Sequence, residues 1–97
     1  MTTATRIPLP AGAKRAHDWE VQRDGSVTRV FRGALRDRDR WCIGIIGEQD
    51  YSGAVISRDA FVDMDIYEDV LDAADLRQLA ADCLATADEL ELGVVTP

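Results

Sequence analysis

A chain of 97 residues fits one domain, and at this size folding buries roughly 60–65% of the surface that the unfolded chain exposes. That is enough for one modest core, but not for a core plus a large enclosed catalytic cleft. Eighteen acidic against eleven basic side chains give a net charge of -7, which argues against general nucleic-acid binding, because that depends on neutralising phosphates.

No apolar run is long enough to span a bilayer, and the first residues lack the apolar stretch of a secretory signal. Cys42 and Cys83 stand in no CxxC or Cys/His pattern, so the expectation is a soluble, cytoplasmic protein with both thiols reduced. Lys14 is the only lysine among the basic residues, and Ala, Asp and Val are abundant. This usage suggests a GC-rich genome. The charge is unevenly placed: residues 1–40 carry nine basic and five acidic side chains, and residues 41–97 carry two basic and thirteen acidic. The two halves can attract each other within the fold, or present one basic and one acidic surface to partners.

Residues 1–16 read as a flexible tail preceding a single domain over 17–97. His17 to Arg23 alternates polar and apolar side chains, the period of a half-buried strand. Asp24-Gly25 predicts a two-residue hairpin turn, leading into a second strand from Val27 to Leu35. That register sets Glu20 opposite Arg29 and Trp19 opposite Val30. The alternating charges of Arg36-Asp37-Arg38-Asp39-Arg40 read as a solvated connection. Trp41 to Gly47, apolar on both faces, predicts the central strand. Gln49 to Gly53 is the next turn, Ala54 to Ser57 a short fourth strand, and Arg58-Asp59 a break. Phe61 to Tyr67 alternates again as a fifth strand, with Val62, Met64 and Ile66 on one side and Asp63 and Asp65 on the other.

The C-terminal helix is the clearest element. Asp72 is the expected N-cap, with Asp75 three residues later in a variant capping box. Leu76, Leu79, Ala80, Cys83, Leu84, Ala87 and Leu90 form an apolar stripe at helical spacing, and Gly93 is the expected terminator. Asp75, Asp82 and Glu89 recur every seven residues on another face. The run from Asp72 to Ala81, continuing through Ala87-Asp88-Glu89-Leu90, resembles the closing helix of small actinobacterial and actinobacteriophage proteins of unknown function. In those proteins the helix follows several short strands. The resemblance spans roughly residues 17–91 and implies an origin and a strands-then-helix order, with no site residues to carry over.

Candidate chemistry is sparse. His17 is the only histidine, and its neighbour Asp18 would point to the opposite side of a strand. Asp59, Asp63 and Asp65 form at most a weak divalent-cation pattern, and a solvated strand face accounts for them. Cys42 and Cys83 fall on expected core positions, where a reduced thiol acts as a small hydrophobe. Trp19 and Trp41 read as core. The charged groups offer more: Arg29, Arg32, Arg36, Arg38 and Arg40 on one side, Asp75, Asp82 and Glu89 on the other, each set either solvated or a partner-binding surface.

The expectation is therefore an α+β fold, an antiparallel sheet of four or five short strands with the helix stripe packed on one face. The expected function is that of a non-enzymatic accessory protein of phage or actinobacterial origin, binding a host protein or a second copy of itself through these charged residues, with no cofactor, metal or membrane. A nucleic-acid-associated regulator using the arginine-rich hairpin is the alternative, and a small-ligand sensor or enzyme comes last, because no polar groups converge in the sequence.

Overall fold

Between residues 27 and 64 the chain is rich in β-branched and aromatic side chains that alternate across the strand, and it forms three long antiparallel strands. The computed structural model describes residues 6–64 and 70–94, with side chains through residue 91. In chain order the elements are β1 (Arg15–Ala16), β2 (Glu20–Val21), β3 (Val27–Asp37), β4 (Trp41–Asp50), β5 (Val55–Met64) and the helix α1 (Ala73–Val94). The sheet runs β1-β3-β4-β5, with β2 also paired to β3, and every pairing is antiparallel. This is the expected α+β arrangement, with β4 at its centre.

Several details differ from the sequence expectation, each for a local reason. The first hairpin closes one residue away from the expected register: Glu20 pairs with Thr28 and Val21 with Val27, and the Gln22 amide donates to the Ser26 carbonyl at 2.7 Å. A two-residue type I′ loop needs positive φ at both central residues. Here Gly25 alone supplies it, at φ 88°, and no described residue other than glycine has a positive φ. Asp24 instead accepts hydrogen bonds from the Ser26 amide at 2.9 Å and hydroxyl at 2.6 Å, which hold its carboxyl below the ordinary value. Glu20 therefore does not meet Arg29.

The strand expected over 17–23 is reduced to β2, and β1 lies before it, within the segment 1–16 expected as a flexible tail. The charged run 36–40 is not a free connection: Arg36 and Asp37 finish β3, and the Arg38 amide donates to the Trp41 carbonyl at 2.7 Å to turn the chain. The fourth and fifth expected strands are one strand, β5, passing through Arg58-Asp59. A charged pair interrupts nothing when one side chain faces each way: Arg58 lies over the Phe31 ring at 5.1 Å, on the covered face. Asp65, Ile66 and Tyr67 lie outside the described residues.

Phe31, Trp41, Ile43, Ile45 and Gln49 are buried on one sheet face. Two pieces of chain cover it. At one end the segment before β1, expected as a tail, lies along the sheet: Gln49 Nε2 donates to the Pro8 carbonyl at 2.9 Å, Arg29 Nη2 to Ile7 at 2.8 Å and Arg58 Nη1 to Ala11 at 2.7 Å. These bonds satisfy extended backbone that has no strand partner, and the Arg29 Nε–Gln49 Oε1 bond at 2.8 Å completes the buried amide. Trp19 packs here too, half-buried, with the Arg29 guanidinium 4.4 Å from its ring and Tyr51 edge-on at 4.9 Å. At the other end α1 covers Trp41 and Ile43.

The start of α1 is as the sequence predicts: the Asp75 amide donates to the Asp72 carboxylate at 2.8 Å, and the Asp72 amide to the Asp75 carboxylate at 3.2 Å. The helix runs on to Val94, through Gly93. Its orientation is the main departure from expectation. Asp82 is 3% and Thr86 2% exposed, whereas Leu76 is 54% and Leu84 68% exposed. Leu79 and Leu90 are only half-buried. The acidic stripe faces the sheet, and much of the apolar stripe faces outward.

Candidate interaction surfaces

The inward-facing acids meet the arginines of the β3–β4 hairpin. Residues seven apart on a helix recur on one face about 10.5 Å apart, which sets Asp75, Asp82 and Glu89 in a row. Arg36, near the end of β3, and Arg38, just past it, face the same side, and Arg40 sits in the turn beyond. The two rows run antiparallel and pair in order: Arg36 with Glu89 at 2.5 Å, Arg38 with Asp82 at 2.8 Å, Arg40 with Asp75 at 3.6 Å. Arg40 also donates to the Val70 carbonyl.

Asp82 is the hub. Arg38 grips its carboxylate with two bonds, Nε at 2.9 Å and Nη2 at 2.8 Å, while Trp41 Nε1 donates at 2.9 Å and Gln78 Nε2 at 3.0 Å. The Arg38 hydrogen bonds, with those from Trp41 and Gln78, outweigh desolvation and hold the Asp82 carboxyl well below the usual carboxylate range. The hydrogen bonds from Arg36 to Glu89 and from Arg38 to Asp82 raise both guanidinium pKa values. Thr86 closes the seam, accepting from Arg36 at 3.2 Å and donating to the Asp82 carbonyl at 2.8 Å.

Six of the eight charged residues singled out as partner-binding candidates thus hold the helix to the sheet. Of the opposing charges noted in the sequence, it is their attraction within the fold that the structure displays. The signal was present in the sequence as two separate periodicities, acids at every seventh helical position and arginines at every second position of the hairpin. Arg29 is engaged by Trp19, Gln49 and Ile7, and Arg32 is the remaining candidate. His17 is exposed, its backbone amide bonded to Val30 at 2.8 Å.

The two cysteines are not core neighbours. Cys83 is exposed on α1, whereas Cys42 is half-buried on the sheet face opposite to Trp41 and Ile43, so the sheet separates them. Burial first, then Asp37 and Asp63, push the Cys42 thiol up. Among the described residues no group of three or more His, Cys, Asp or Glu side chains could hold a metal ion, and no helix is long and apolar enough to cross a membrane.

Two surfaces remain. The first is the outer side of α1, where Leu76, Ala80, Cys83, Leu84 and Ala87 are exposed, flanked by exposed Asp72, Arg77, Asp88 and Glu91. The second is the sheet face turned away from α1, which no described element covers.

No family model matches the chain, and comparison with the curated proteins and the solved structures finds no similar protein.

Proposed function

We propose that this chain is a small non-enzymatic accessory protein, of phage or actinobacterial origin, that acts by binding another protein through the outer side of α1. The orientation of the helix is the observation that carries this reading. A helix whose only task is to cover a sheet gains most by burying its leucines, at about 25 cal/mol per Å² of apolar surface. Here Leu76 and Leu84 stay in water while the Asp82 carboxylate is buried. An apolar helix stripe presented to solvent is the form in which a helix docks into a partner's groove. Asp72, Asp88 and Glu91 border the stripe, so the complementary partner is a protein with an apolar groove rimmed by basic side chains.

The test is retention by the tagged chain from a lysate of an actinobacterial host, treated with nuclease, compared with the Leu76→Glu/Leu84→Glu double variant. The expected result is one stoichiometric host protein, unaffected by nuclease, retained by the wild type and lost by the variant, with weaker retention as salt rises. Retention that the variant keeps, or that nuclease abolishes, would overturn the reading.

A further inference from the structure

The uncovered sheet face is built in cross-strand rows. Register aligns Asp37, Cys42 and Asp63 in one row, Leu35, Gly44 and Phe61 in the next, and Arg15, Arg32, Ile46 and Asp59 in the third. The middle row exists because residue 44 has no side chain: a Cβ there would lie 2.8 Å from two Phe61 ring carbons and 2.9 Å from a Leu35 methyl. Without one, Phe61 and Leu35 close over β4 and form an apolar floor.

At one end of that floor three cations gather. Arg15 lies directly opposite Arg32, a like-charge pairing that opposes strand association. The Lys14 amide donates to the Arg32 carbonyl at 2.7 Å, which keeps Lys14 alongside. Among the described residues none of the three has an ion-pair partner. The Arg32 guanidinium stands 5.7 Å from the Phe61 ring centroid, and its Nε is buried with no hydrogen-bond partner, an orphaned donor of a kind that is rare in folded proteins. The cations and the floor line one groove of about 510 Å³, within the usual size of small-molecule sites.

We propose that this groove binds a small organic anion with an apolar body. Its carboxylate sits between Arg32 and Arg15 with Lys14 beside it, and its ring or branched chain lies on Leu35, Gly44 and Phe61. The anion would relieve the Arg15–Arg32 repulsion and satisfy the orphaned guanidinium, and the guanidinium fork matches a carboxylate. The row of Asp37 and Asp63 lies about 14 Å along β4 from the Arg32 row, four residues at ~3.4 Å each. A second anionic group at the far end of the ligand is therefore repelled, and the site selects monoanions.

The test is titration of the full ¹⁵N-labelled chain, followed by amide NMR shifts, with 4-phenylbutanoate, 4-phenylbutanol and inorganic phosphate. Phenylbutanoate is expected to give saturable shifts confined to residues 14–16, 31–35, 42–46 and 59–62. The alcohol and phosphate should each bind at least about tenfold more weakly, equivalent to about 1.4 kcal/mol. Arg32→Met, which keeps the apolar stem on Phe61, and Arg15→Gln, at an exposed position, should each weaken phenylbutanoate by about tenfold with the fold's amide pattern retained. Absence of saturable shifts up to roughly 20 mM, a millimolar ceiling on dissociation constant, would overturn the proposal. So would equal binding of phosphate, which makes the apolar floor irrelevant, or wild-type affinity in Arg15→Gln.

Discussion

Replacing Asp82 by Asn tests whether a buried carboxylate, rather than the apolar stripe, fixes α1 to the sheet. The substitution preserves shape but removes the charge that Arg38, Trp41 and Gln78 all address. One amide oxygen can still accept from Trp41 or from Arg38, but not from all three donors. Bonds to charged groups contribute about 1.5–3 kcal/mol each when sheltered. The Arg38 side chain is 44% exposed, so solvent screens its share, and the buried bond from Trp41, with that from Gln78, carries most of the loss. A buried donor left unpaired adds about 1–2 kcal/mol. The expected loss is therefore about 2–4 kcal/mol, a large part of the 5–15 kcal/mol typical of a domain, and roughly a 10–25 °C fall in Tm at this size.

Urea unfolding followed by tryptophan fluorescence and far-UV circular dichroism measures that loss directly, since Trp41 lies in the seam. The Arg38→Gln variant and the double variant complete a cycle, in which the two changes are expected to be non-additive. A loss below about 0.5 kcal/mol, the range of ordinary surface substitutions, or strict additivity of the two changes, would refute the argument.

Other consequences follow from the same geometry. Because Asp82 is held below the usual carboxylate range in the fold and titrates near ~3.9 when unfolded, its contribution is complete above about pH 5 and is lost as pH falls below about 4 toward its folded value. The urea midpoint of the wild type should decline over that window more steeply than that of Asp82→Asn. Leu84→Glu should change stability by no more than about 0.5 kcal/mol, although the helical pattern alone makes Leu84 a core residue. Ile43→Ala, at the buried sheet position, should cost about 2–5 kcal/mol, and calorimetry of the two variants compares them side by side. In the native protein an aromatic disulfide reagent should modify exposed Cys83 quickly and half-buried Cys42 slowly. Mass spectrometry of air-exposed protein should find no intramolecular Cys42–Cys83 bridge, since the sheet lies between them.

Much of the fold could be read from local chemistry. The unbroken apolar run from Trp41 to Gly47 identified the central strand, and Asp72 with Asp75 identified the start of α1, because those signals depend on a few neighbouring residues and on backbone geometry shared by all helices and strands. The hairpin at Gly25 was legible as a turn but not in its register. Register turns on whether Asp24 accepts a positive φ, and the Ser26 bonds to its carboxylate hold it in the ordinary region.

The segment 6–13 and the facing of α1 were decided only in three dimensions. Pro8 and Ala11 carry no pattern announcing that their carbonyls will bond Gln49 and Arg58; those donors come from strands some forty residues later. For α1 the sequence determined a helix with one apolar and one acidic stripe, and periodicity alone favours burying the apolar one. What reversed the choice is that Arg36, Arg38 and the indole N–H of Trp41 sit on the sheet face the helix must cover. A leucine placed over them leaves buried donors unpaired, whereas Asp82 and Glu89 satisfy them. The acidic stripe became the inner face of the helix because the sheet beneath it supplies donors, a pairing that exists only once β3 and β4 have turned back on each other.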